Sequence, residues 1–238
     1  MIIYFEKQAD FMTDKVFEKW FTDTLVGRYT AHQERCFFSH SLKSIRADKI
    51  VQTGMAEWLV PSENMICIGR DVFMDASSFA LEDESIDLLL MPHAQECCVE
   101  PEILAIEAFR VLKPEGKIVL TGFNPHSLWH FSRWFDGNRL PERRRCRPLH
   151  QVKQQFKSLG FEIEGGQFMV YVPPINHETL LKLLSFMELA GNRWWPAGAA
   201  VYGLVLVKRV AGVRPLPEYE QVLESEGEVA LGIAKLKL

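Results

Sequence analysis

Residues 75–129 constrain the fold most. An acid at Asp75 opens a short polar stretch, Asp75-Ala76-Ser77-Ser78-Phe79-Ala80-Leu81, and Asp87 then leads an unbroken apolar run, Leu88-Leu89-Leu90-Met91. A continuous apolar run behind an acid reads as a parallel strand covered on both faces. Pro101, flanked by Glu100 and Glu102, starts a helix expected over 101–112, because proline and acids suit a first helical turn. Ile103, Leu104, Ala108, Phe109, Val111 and Leu112 form its apolar stripe, and Lys113-Pro114-Glu115-Gly116 ends it. A second strand follows over 116–121. This strand–helix–strand order is one half of a doubly wound, mostly parallel α/β sheet.

Patterning elsewhere fills in the rest. Phe11, Val16, Phe17, Trp20, Phe21 and Leu25 recur near helical spacing, and a second helical stretch runs from about residue 31 to 44. These N-terminal helices are expected to lean on the sheet. Short buried strands are expected over 49–53 and 65–68. A helix over 151–159 ends at Gly160, and a strand over 161–170 is interrupted by Gly165-Gly166. A helix over 179–190 precedes a closing strand over 199–208, expected antiparallel at one edge. The organisation is a helical extension (1–44), an α/β domain (45–210) and a loose tail (211–238).

Composition sets outer limits. The chain of 238 residues is 47% hydrophobic and 24% charged, enough for a real core. Its net charge of −4 argues against a dedicated nucleic-acid binder. The apolar start Met1–Tyr4 stops at Glu6, Lys7 and Asp10, so no secretory signal is expected, and the run over 197–207 is too short to cross a bilayer. Five cysteines without a C-x-x-C pair suggest neither zinc nor a disulfide framework, and point to a reducing cytoplasm. No histidine spacing suggests a metal. Arg139, Arg143, Arg144, Arg145 and Arg147 concentrate positive charge in one loop, either a solvated connection or an anion-binding lid.

Two of these stretches resemble a known family. Asp75-Ala76-Ser77-Ser78-Phe79-Ala80-Leu81 is similar to the "D-A-x-x-L-P-F" signature of class I S-adenosylmethionine-dependent methyltransferases, and Arg110-Val111-Leu112-Lys113-Pro114-Glu115-Gly116 to their "R-V-L-K-P-G-G" turn. The likeness is to the type 11 methyltransferase domain, in a compact bacterial form suggested also by 122–129 and 192–196. It implies a Rossmann-like sheet of order 3-2-1-4-5-7-6 with S-adenosylmethionine at the carboxyl ends of the strands. By position, Asp75 would accept from the adenine amino group beside Ala76. Met91, Pro92 and His93 would face the methionine end and the transferred methyl. Asn124 and His126, after the fifth strand, would meet a small-molecule acceptor. A general base, if used, would be His93 or else His126.

The first half departs from the family. Its "L-D-x-G-x-G-x-G" loop corresponds to Val51-Gln52-Thr53-Gly54-Met55-Ala56-Glu57, where Gly54 alone remains. Asp71 is the nearest candidate for the ribose-binding acid. A βαβ unit takes about 30 residues, whereas Gly54 and Asp75 are only about 20 apart, so one strand and one helix are expected to be missing. Two function classes follow. One is a methyltransferase with weakened cofactor binding; the other is a methyltransferase-fold scaffold that has lost it.

Overall fold

The computed structural model describes residues 18–55, 64–75, 78–130, 145–174, 177–184, 186–188, 191, 195 and 198–210. Ala76, the arginines at 139, 143 and 144, and the tail from 211 onward lie outside these residues.

Residues 18–23 are helical, and Thr24 breaks the helix before α1 (Leu25–Ser44). The Thr24 hydroxyl accepts from Gly27 N at 2.9 Å and donates to Trp20 O at 2.8 Å, capping the new helix while closing the old one. The N-terminal helical region is therefore one long helix behind a short one. The expected second helix began six residues later because its first turn, Leu25–Thr30, carries a glycine and a threonine.

Then follow β1 (Ile50–Gln52), β2 (Met65–Cys67), β3 (Ile86–Pro92), α2 (Ala94–Cys97), α3 (Pro101–Val111), β4 (Leu112–Phe123), α4 (Leu149–Ser158), β5 (Phe161–Met169), α5 (Glu178–Leu184) and β6 (Val201–Lys208). The sheet order is β2-β1-β3-β4-β6-β5, with β6 antiparallel to both neighbours and the rest parallel. Among the described residues this is the expected seven-strand order without its outermost strand. Among the described residues β2 is the edge, and Ile66, which a further layer would cover, is 45% exposed.

Alternation along β3 separates two cores. Leu88 and Leu90 face Phe37, Phe38, Val119 and Phe123 under the N-terminal helices. Leu89 and Met91 face Leu104, Ala105, Ala108 and Phe156 under α3 and α4. Two details differ from expectation and one agrees. Ala105 takes the place of Ile103 in the α3 stripe, since Ile103 is at the surface. The stretch Lys113–Gly116 ends the helix but then runs on within β4, with a register shift opposite Ile86 and Leu88. Gly160, at φ +102°, closes α4 as expected.

Candidate cofactor site

The carboxyl ends of β1, β3 and β4 form one rim. The chain leaves β1 toward β2 on one side and meets β3 on the other, which makes this the switch point where open α/β sheets bind ligands. Gly54 sits there at φ +83°, and a Cβ on it would come within 2.5 Å of Pro92 O and 3.0 Å of Ala94 Cα. Only glycine allows both the left-handed backbone and this close approach. The fully buried Gln52 side chain fixes the same turn, donating from Nε2 to Met55 O at 2.6 Å. Gly54→Ala is expected to destabilise the chain by about 1–3 kcal/mol, the range for backbone strain, and to weaken ligand binding at the rim at least about tenfold. Urea unfolding and titration of the folded variant check the two parts separately.

His93 follows β3 in a left-handed conformation, φ 50° and ψ 19°, unusual for a residue with a side chain. Such strain persists where surrounding contacts over-determine it. Here they do. His93 is fully buried, its Nε2 is 2.9 Å from Glu34 Oε1, and its Nδ1 is 3.7 Å from Glu96 Oε1. The ring also stacks on Phe123 at 4.5 Å between centroids and lies 5.2 Å from Phe21. Burial alone would depress the imidazole's proton affinity, but the Glu34 carboxylate outweighs it, with help from Glu96, and holds the pKa up at about 9.

The two carboxylates tie separate elements together. Glu34, from the middle of α1, also accepts from the Thr121 hydroxyl at 2.7 Å. Glu96 Oε1 accepts from Phe123 N at 2.6 Å. Gly122, between them, leaves room for the Tyr202 ring and Glu96; a Cβ would lie 2.6 Å from the Tyr202 hydroxyl. That hydroxyl donates to Arg147 O at 3.0 Å. Burial pushes its pKa well above the phenol range, and Glu96 adds to the effect.

The other sequence candidates spread along the same side. The Met91 side chain belongs to the core beneath α3, so it offers the rim only backbone. Pro92 pairs in register with Thr121. Asn124 is a turn residue: its Oδ1 accepts from His126 N at 3.0 Å and its Nδ2 donates to Ala199 O at 3.0 Å. His126 is exposed on that turn. Asp75 is exposed and closes a small turn, its carbonyl accepting from Ser78 N at 3.1 Å. Asp71 accepts from Cys67 N at 2.9 Å and pairs with Arg70, whose hydrogen bonds hold its pKa down at about 2. Among the described residues no group of His, Cys, Asp and Glu could hold a metal.

Glu34 and Glu96 were singled out by nothing in the sequence reading. Glu34 did leave a signal. It stands in register with Thr30, Ala31, Phe37, Phe38 and Ser41, the buried face of α1. An acid on an apolar stripe requires a buried partner.

Comparison with known proteins agrees with this geometry. Residues 55–120 match the methyltransferase domain family. The Escherichia coli (strain K12) protein YafS is 44% identical over 46 residues, 19% of each chain, so the match spans about a fifth of that relative. A solved S-adenosylmethionine-dependent methyltransferase from Thermotoga maritima, a possible histamine N-methyltransferase, superposes with a TM-score of 0.54 over 82% of this chain and 96% of its own, at 20% identity. One from Archaeoglobus fulgidus gives 0.49 over 73% and 92%, at 13% identity. Fold, rim and matched domain define an α/β protein of the methyltransferase type. The chain has the fold of the class I methyltransferases, and its residues 55–120 are similar to the methyltransferase domain family, whose cofactor would be S-adenosylmethionine. Such a cofactor would lie at the carboxyl ends of these strands, where Gly54 turns in a left-handed conformation packed against Pro92 and Ala94.

Proposed function

We propose that the chain transfers a methyl group from S-adenosylmethionine to a small-molecule acceptor at the rim of β1, β3 and β4. The observation that carries this reading is the close approach of Gly54 to Pro92 and Ala94. The bound cofactor supplies a methyl already activated on a sulfonium, so the protein mainly aligns the reactants and excludes water. Gly54 and the backbone of Met91–His93 would hold the methionine end, with Asp75 and Ala76 toward the adenine.

His93 acts here as a positioning residue, because both ring nitrogens lie against carboxylates and none of the ring is exposed. Its grip fixes the β3 exit against α1. His126, exposed on the turn that Asn124 braces, would take a proton from the acceptor. Trp20, Phe21, Phe123 and Trp129 keep the interior dry, with neighbouring centroids 4.8–6.1 Å apart. No helix among the described residues is long and apolar enough to cross a membrane.

The experiment is turnover with methyl-labelled S-adenosylmethionine and a low-mass metabolite extract. Label in a small product, dependent on Gly54, is the expected result. Cofactor that neither binds nor is consumed would overturn the proposal in favour of the scaffold class.

A further inference from the structure

The exposed apolar side chains gather at one end of the molecule. Among the described residues nine large ones are exposed, and eight of these stand on connections at the carboxyl ends of the strands or on the first two turns that leave them. Val72 and Phe73, the latter 76% exposed, follow β2. Val99 links α2 to α3 after β3, and Ile103 and Ile106 stand at the start of α3. Leu183, Phe186 and Trp195, 57–67% exposed, belong to the connection between β5 and β6. Because β6 runs antiparallel to β4 and β5, that connection also lies at the carboxyl end. The ninth, Ile66, is on β2 itself. At the opposite end the segments leading into β1 and β3 expose Asp48, Lys49, Glu82 and Asp83 instead.

Exposed apolar surface gathered on one side of a molecule marks a place of interaction. A protein partner would need a fitted groove, whereas these side chains protrude from three separate segments. A bilayer accepts them without a complementary shape, and tryptophan and phenylalanine settle at the depth of its headgroups. Docking of this kind lies in the interface and needs no spanning helix.

Charge points the same way. The connection from β4 to α4 begins and ends at this end of the sheet, because α4 runs back to the start of β5. Between His130 and Pro148 the sequence holds Arg133, Arg139, Arg143, Arg144, Arg145 and Arg147 against Asp136 and Glu142, in a chain of net charge −4. Phe131, Trp134 and Phe135 stand among them in the sequence. Clustered arginine interleaved with aromatic residues suits anionic lipid headgroups.

We propose that this end of the molecule docks on an anionic lipid bilayer, with Phe73, Phe186 and Trp195 entering the headgroup layer and the arginine-rich connection supplying the attraction. The docking stands independently of the methyl-transfer reading.

The test is cosedimentation of the full chain with lipid vesicles. Binding to phosphatidylcholine mixed with phosphatidylglycerol is expected, weaker on phosphatidylcholine alone and falling with added salt as the charges are screened. Phe73→Ser combined with Phe186→Ser, both at the surface, should lower the partition coefficient about tenfold or more, since each ring leaves water on docking. Ile66→Ser, exposed but away from this end, should bind as the wild-type chain does. No binding to the anionic vesicles would overturn the proposal. So would a folded double variant that binds undiminished, or an equal loss in Ile66→Ser. A chain that ignores vesicles and instead forms a dimer, broken by the same two substitutions, would give the face to a second copy and overturn the bilayer.

Discussion

Glu34→Ala is expected to lower the stability of the chain by about 3–5 kcal/mol, the usual cost of removing one partner from a buried ion pair. The substitution strands three groups at once. His93 loses the carboxylate 2.9 Å from its Nε2, the Thr121 hydroxyl loses its acceptor, and α1 loses its polar tie to β3 and β4. Glu34→Gln keeps the shape and one hydrogen bond, so it should cost less, although the imidazolium would still lack its main counter-charge. Chemical denaturation of the three proteins measures both effects. A loss below about 1 kcal/mol for Glu34→Ala would show that the cluster is not held as described, since that is the scale of an exposed pair.

The second large effect is on pH dependence. His93 has a folded-state pKa of about 9 against an ordinary value near 6.5, so the folded chain binds the proton more tightly than the unfolded chain. The stabilisation is therefore fully present below about 6.5 and is lost as pH rises through 9. Its size is on the order of 3 kcal/mol, at about 1.4 kcal/mol per tenfold change in proton affinity. This window is clear of the other raised groups. Cys67, pushed up to about 11 by burial, and the buried tyrosines weaken the fold only at higher pH. Denaturation at pH 6.5 and 9 should show the fall in the wild-type chain, and His93→Gln should abolish it. Stability that stays flat across the window would contradict the assignment of charge to His93.

Much of the architecture was legible because it rests on local pattern. The run Leu88–Met91, Pro101 at a helix start and Gly160 at a helix end each specify one backbone conformation. That the outer strand would be missing from the sheet of the described residues was readable too, from the short distance between Gly54 and Asp75. The polar interior was not. Glu34 lies 59 residues before His93 and 87 before Thr121, and no local rule links positions so far apart. His93 was recognised as important by its place after β3, yet its burial and left-handed backbone depend on a helix far away in sequence. Asn124 shows the converse case. The resemblance gave it a place beside the acceptor, and its side chain is used in bracing the local turn.

The central claim, that the rim at Gly54 is a cofactor site, is tested most directly by thermal unfolding with and without S-adenosylmethionine. At about one hundred times the dissociation constant, a ligand bound only by the folded chain adds about 2.7 kcal/mol. For a chain of this length that raises Tm by roughly 5–10 °C. Such a rise in the wild-type protein, absent in folded Gly54→Ala at the same concentration, is the predicted result. An unchanged Tm at millimolar S-adenosylmethionine would contradict the account.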